Sequence, residues 1–340
     1  METIKYEPEG WIDMQALIDN ERLPFIFISS VRGPGKTYGA LKYALRCQKA
    51  PFIFMRRTQV QADFAGSLVA TPLVKNLEPD EYIEQVPTGL KNLTCLRVMR
   101  QADPEPELVG ECYFVSLSTV ASMRGIDMTR CNLLIYDEFQ KEDHQTWLKG
   151  EFKAFTNAYE TLNRNRELQG RPPLKCIALS NLLDIANPYY RGYGLVNAIY
   201  DMKGEVLRDY RQKVAIYRPF CKEFEKKKKQ TALYQSDGAA DTMGGEWARI
   251  NREHVKSMSL RGAVPICSIN GVGFYKIQPG RAYASATAPA AVPAYNLEDK
   301  IDLAAVHKRN QGVISALFNR KVTFESVDIL LRCQELVNKL

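Results

Sequence analysis

Along the first two hundred residues, short apolar runs alternate with segments of helical periodicity. Five runs predict strands: Phe25 to Ser29, Pro51 to Met55, Cys112 to Leu117, Asn132 to Tyr136 and Lys175 to Leu179. Continuous apolar character, rather than strict alternation, is expected of strands covered on both faces of a parallel sheet. Between them, Tyr38 to Arg46, Thr58 to Ala65 and Gln145 to Asn163 predict helices, and Trp11, Met14, Leu17 and Ile18 recur at helical spacing before the first strand. Strands and helices in alternation predict an α/β fold with a mainly parallel sheet.

From about Asp201 the pattern breaks into charged, irregular sequence, including the lysine run within Phe224 to Gln230 and a Gly/Asp/Ser-rich stretch from Ser236 to Gly245. A connector is expected there. Beyond it, Ile266 to Ile277 reads as two strands turning at Asn270-Gly271, followed by a strand from Arg281 to Ser285 and helical patterns at Leu297 to Phe318 and Phe324 to Lys339. The expected organisation is a domain over 1–200, a connector over 201–245 and a smaller α+β domain over 246–340.

Composition narrows the class. With 340 residues, 45% hydrophobic and 25% charged, the chain fits a globular protein of about two domains. No apolar run approaches the roughly 18 residues a membrane span needs, so no membrane partner is expected. A formal charge of +7 leans towards a polyanionic partner. The eight cysteines are scattered without a C-x-x-C pair, which predicts reduced core residues, and the three histidines stand too far apart for a histidine metal site.

The chemistry concentrates in two places. Ser30-Val-Arg-Gly-Pro-Gly-Lys-Thr37 follows the first strand and opens a helix, the context of a phosphate-binding P-loop. Such a loop aims backbone N–H groups and the positive end of a helix at phosphate oxygens. Arg32, Gly33, Gly35, Lys36 and Thr37 are the nucleotide candidates, with Lys36 reaching the β- and γ-phosphates and Thr37 ligating Mg²⁺. Serine stands at position 30, where the pattern opens with glycine. The second place is Leu133-Leu-Ile-Tyr-Asp-Glu138, an apolar strand ending in two acids. Asp137 suits the Mg²⁺ site and Glu138 the activation of an attacking water, which favours hydrolysis over phosphate transfer. No Asn-Lys-x-Asp guanine motif occurs, so ATP is expected as the nucleotide.

Further candidates lie at strand and helix ends. Asn181 closes the strand of Cys176-Ile-Ala-Leu-Ser-Asn181 and is a candidate γ-phosphate sensor or a turn cap. Arg164 and Arg166 follow the long helix and fit either transition-state charge or a surface ion pair with Glu167. Arg56 and Arg57 end the second strand at the ligand edge or anchor a loop, and Arg124 is a candidate pore contact. The lysine run fits a solvated face or a nucleic-acid contact.

Together, Arg32-Gly-Pro-Gly-Lys-Thr37, Phe52-Ile-Phe-Met-Arg-Arg57, Ile135-Tyr-Asp-Glu-Phe139, Arg164-Asn-Arg-Glu167 and Cys176-Ile-Ala-Leu-Ser-Asn181 resemble the DNA-encapsidation ATPases of small podovirus-type tailed phages, relatives of the large terminases. The resemblance implies an ASCE-type P-loop ATPase domain and an RNase H-like C-terminal domain. It also implies a homomeric ring, a pentamer, on the portal vertex of a prohead in the host cytoplasm, driving double-stranded DNA inward with ATP and Mg²⁺. Some members use a structural RNA, which adds a further candidate partner. At Arg164 it implies a trans-acting arginine finger. The strands from Cys267 to Ser285 contain no Asp or Glu, so an RNase H-like fold without nuclease activity is expected. A P-loop kinase, a terminase with a working nuclease and a nucleotide-gated scaffold remain the alternatives.

Overall fold

Apolar runs too short for helices and flanked by Gly, Pro and polar residues become the strands of two separate sheets. The computed structural model describes residues 4–48, 50–120, 127–142, 145–181, 184–232, 254–278 and 280–340. The chain divides into two units, Met1–Tyr189 with Met202–Trp247, and Tyr190–Asp201 with Ala248–Leu340.

The first unit is built on a sheet of β1 (Phe25–Ser29), β2 (Phe52–Arg56), β3 (Glu81–Val86), β4 (Thr94–Arg100), β5 (Glu107–Ser116), β6 (Leu133–Asp137), β7 (Lys175–Ser180), β8 (Val206–Asp209) and β9 (Val214–Tyr217). Their spatial order is β3-β4-β5-β2-β6-β7-β1-β9-β8. The six strands from β5 to β9 in that order run parallel, while β3-β4 and β8 add antiparallel edges. The five expected strands are all present, shifted by a few residues at their ends.

Parallel strands carry their buried side chains on both faces. On one face Ile26, Ile28, Phe52, Phe54, Ile135, Ile177 and Leu179 pack with Ala40, Leu41 and Ala44 of the helix Lys36–Arg46. On the other, Phe27, Tyr136, Phe139, Phe155 and Tyr189 form a cluster of ring contacts. Phe155 comes from the helix Glu151–Asn163, which starts at Gly150 in a left-handed conformation rather than at the expected Gln145.

Two boundaries differ from expectation. The stretch expected as a connector supplies β8 and β9, because Val214-Ala-Ile-Tyr217 is a fully buried apolar run, pairing in parallel with β1 inside otherwise charged sequence. Glu21 secures it, accepting from Arg208 Nε and the Tyr217 hydroxyl at 2.7 Å each. Conversely, 190–201 joins the second unit, where the helix Val196–Tyr200, with Val196 and Ile199 buried, packs on the last helix. The Ser236 to Gly245 stretch lies outside the described residues.

In the second unit β10 (Val264–Ile269), β11 (Val272–Gln278), β12 (Arg281–Ser285), β13 (Ala294–Tyr295) and β14 (Val322–Phe324) stand in the order β13-β10-β11-β12-β14. The antiparallel turn between β10 and β11 falls at Asn270-Gly271, both at positive φ (47° and 78°) as a two-residue hairpin of this hand requires. The helices Lys300–Arg309, Gln311–Phe318 and Val327–Val337 cover the sheet; the expected long helix divides at Asn310. Among the described residues no helix is long and apolar enough to cross a membrane. Six of the cysteines are buried thiols, whereas Cys47 is exposed and Cys221 half-buried.

Candidate functional site at the carboxyl edge of the parallel sheet

Because β7 lies between β1 and β6, the chain leaves β1 and β6 at the same edge, one strand apart. That edge is where ligands bind in open parallel sheets. The loop after β1 needs two left-handed residues, and glycine fills both: Gly33 at φ 104° and Gly35 at φ 82°, the latter capping the helix that starts at Lys36.

Lys36 is buried, 5% exposed, and folds back along the loop. Its Nζ donates to Ser30 Oγ and the Val31 carbonyl at 2.9 Å each, and to the Ser30 carbonyl at 3.3 Å. Serine at position 30 is therefore a lysine acceptor. Burial pushes the Lys36 ammonium down to about 7, against the attraction of Asp137 and helped by repulsion from Lys228 and Arg32. Thr37 donates its hydroxyl to Asp137 Oδ1 at 2.9 Å, joining loop and acid strand. A hydroxyl and a carboxylate in contact are the oxygen donors that Mg²⁺ accepts.

Arg56, at the end of β2, spans both acids: Nη2 is 2.9 Å from Asp137 Oδ2 and Nη1 is 2.5 Å from Glu138 Oε2. Glu138 itself sits at φ 55°, a conformation that costs a non-glycine residue of order 1 kcal/mol or more. It is held by the bond from the Phe139 N–H to the Leu179 carbonyl and by buried Gln140, whose amide donates to Ser29 Oγ at 3.2 Å. This backbone places the Glu138 side chain, 43% exposed, over the crevice.

Neighbouring strand residues point to opposite faces, and Arg57 accordingly leaves the site. Only 2% exposed, it forks onto Glu151 at 2.8 and 2.9 Å, and stacks on Trp147. The expectation of Arg57 at the ligand edge gives way to its alternative, an anchor for the loop before Glu151–Asn163. Arg32 turns outward to Glu142, and Asn181 sits half-buried just past β7. Arg124 lies outside the described residues.

Arg164 and Arg166 lie at the opposite edge. The helix Glu151–Asn163 runs back across the sheet, so that Asn163 accepts from the Leu174 N–H just before β7. Arg166, 1% exposed, donates to the carbonyls of Thr129 and Cys131 and to Asn132 ahead of β6. That occupation makes Arg166 a clamp. Arg164, also at positive φ (46°), lines an open cleft with Asp127, Glu160 and Gln169. A five-residue strand separates it from the P-loop, about 17 Å, so it cannot reach the phosphate site of its own chain.

A P-loop, an acid pair one strand away and a strand inserted between them define a P-loop NTPase of the ASCE type. The particular likeness is to phage DNA packaging: a family model described as Podovirus DNA encapsidation protein (Gp16) matches residues 99–243. The DNA packaging protein of Bacillus phage B103 is 26% identical over 213 residues, 62% of this chain and 58% of the relative. That of Bacillus phage phi29 is 24% identical over 195 residues, 56% and 50% respectively. The chain thus spans about half the length of the curated relatives it matches. Among solved structures, the bacteriophage Phi-29 viral genome packaging motor assembly matches with TM-score 0.62 at 19% identity, covering 97% of this chain and 99% of that one. The Phi-28 gp11 DNA packaging motor matches with TM-score 0.59 at 16% identity, covering 98% and 99%. The family resemblance and the fold class read from the motifs are borne out.

Two features of the site escaped the sequence reading. Arg56 was legible only as an edge residue, although strand alternation signals that one of Arg56 and Arg57 must face the acids. The lysine run gave no sign of meeting the P-loop, which Lys228 does.

Proposed function

We propose that this chain is the ATP-hydrolysing subunit of a motor that drives double-stranded DNA into a preformed prohead. The observation that carries the reading is the Thr37–Asp137 contact beside Lys36 and Glu138 at one sheet edge. Lys36 holds the β- and γ-phosphates, and Thr37 with Asp137 holds Mg²⁺, which when bound neutralises phosphate charge. Glu138 takes the proton of the attacking water once its carboxylate is released by Arg56. Asn181 reads the γ-phosphate from the neighbouring strand, and Arg164 completes the site of the next subunit. The assembly is a homomeric ring, a pentamer, at the portal vertex in the host cytoplasm, with a structural RNA as a further partner. DNA is held through phosphate contacts without base readout, because a packaging motor passes any sequence.

The second unit serves the motor without cutting DNA. Among the described residues no strand of its sheet contains an acid, and its nearby carboxylates have other work: Glu325 accepts from Ser285 and Ala286, Asp299 caps a helix, and Asp328 pairs with Arg191 and Arg332. A two-metal nuclease needs such groups converging. The deciding experiment is ATP hydrolysis with and without long double-stranded DNA at several protein concentrations, with Glu138→Gln as blank. DNA-stimulated turnover that rises faster than linearly with protein and vanishes in the variant supports the motor. DNA-independent turnover, linear in protein, refutes it.

A further inference from the structure

The lysine run lies in the helix Lys222–Lys229, and that helix rests on the phosphate loop. Phe224 covers the loop, its ring 3.1 Å from where a side chain on Gly33 would begin. With Tyr6, Val31, Pro34 and Phe220 it lines a small cavity between helix and loop. One turn on, Lys228 passes its own Nζ 5.9 Å from the Phe224 ring centre and donates to the main-chain carbonyl of Arg32. Lys36 meanwhile holds the carbonyls of Ser30 and Val31. Two ammonium groups thus hold three successive carbonyls of one loop, and their mutual repulsion contributes to the lowered proton affinity of Lys36. The neighbouring lysines are placed otherwise: Lys229 pairs with Glu225 at 2.7 Å and Lys227 reaches the Glu9 carbonyl.

We propose that Lys228 is a second phosphate-holding arm, which exchanges the Arg32 carbonyl for the terminal phosphate when a nucleoside triphosphate fills the loop, so that the helix Lys222–Lys229 registers triphosphate but not diphosphate. This rests on the nucleotide reading of the loop given above. A neutral carbonyl is a weaker acceptor than a phosphate, and the four-carbon lysine stem supplies the reach. The carbonyl that Lys228 holds adjoins those held by Lys36, the residue directed at the β- and γ-phosphates in such loops, so the terminal phosphate falls within range. A diphosphate lacks that group and leaves the carbonyl contact in place.

The test is binding of ATPγS and of ADP, each with Mg²⁺, by the full chain carrying Lys228→Ala, Lys228→Arg or Lys36→Ala. Lys228→Ala is expected to weaken ATPγS about tenfold, or about 1.4 kcal/mol, and ADP less than twofold, with Lys228→Arg restoring most of the difference. Equal weakening of both nucleotides, or of neither, while Lys36→Ala abolishes binding, overturns the role of Lys228 alone. Undiminished binding in Lys36→Ala overturns the loop reading and this proposal with it.

Discussion

Removing the Arg57 guanidinium tests whether the buried pair on the aromatic face holds the segment leading into the helix Glu151–Asn163. In Arg57→Ala, Glu151 keeps only the Tyr189 hydroxyl at 2.9 Å and the Leu148 N–H at 2.7 Å, while its side chain stays fully shielded from water. Gln145 Oε1 loses the Arg57 donor at 3.0 Å and keeps the Glu142 N–H at 3.3 Å, the Thr146 carbonyl loses its donor at 2.9 Å, and Trp147 loses its stacked cation. An uncompensated buried charge costs about 3 to 5 kcal/mol. For a unit of this size each kcal/mol is worth about 2 to 4 °C, so Tm should fall by about 6 to 20 °C. The double variant Arg57→Met with Glu151→Leu, which removes both charges, should recover at least half of that loss in the same thermal scan followed by circular dichroism. A single-variant drop below about 2 °C, or a double variant no better than the single, would refute the argument.

Other consequences follow from the site. Lys36, lowered to about 7 by burial first, is about nine-tenths neutral at pH 8, and a bound triphosphate restores its charge. Calorimetry in buffers of different ionisation enthalpy should therefore show uptake of close to one proton at pH 8 and little at pH 6, and none in Lys36→Met. The sign for folding is the opposite: nucleotide-free folding releases this proton, so with the folded value below the ordinary one, stability rises from pH 7 towards 10. Arg164→Ala should leave ATP binding intact and abolish turnover, whereas Arg166→Ala should lower Tm by several degrees through its carbonyl clamp; the reverse pattern in the two assays exchanges their roles. Gly273→Ala places a Cβ 2.2 Å from the Thr287 carbonyl oxygen, so the second unit should melt measurably lower, and an unchanged melt would show that the backbone yields.

Much of this was legible because it is local. An apolar run followed by Gly-Pro-Gly-Lys-Thr can be recognised without knowing what lies beside it, and so can Asn270-Gly271 between two runs. Sheet order is a different kind of information: that β7 separates β1 from β6 depends on contacts between distant segments. The edge strands Glu81–Val86 and Thr94–Arg100 were missed because charged residues interrupt them, and β9 because four apolar residues stood in charged surroundings. Among site residues, Lys36, Thr37 and Asp137 were placed by motif, whereas the separation of Arg164 from Arg166 needed the carbonyls of Thr129 and Cys131, thirty-odd positions upstream.

The position of Arg164 has a consequence for symmetry. It stands at the amino edge of the sheet, and the phosphate loop at the carboxyl edge, so a contact that joins one to the other uses two different surfaces. Used once per pair and in one direction such a contact is head-to-tail, whereas a two-fold dimer makes it only twice over, each chain offering both surfaces to the other. Each added chain leaves one unused surface at either end until the rotation between neighbours brings the last to the first. In the ring proposed above, the number of chains that closes the circle is then fixed by the angle between those two surfaces, and a single substitution that tilts either would turn that ring into an open helix.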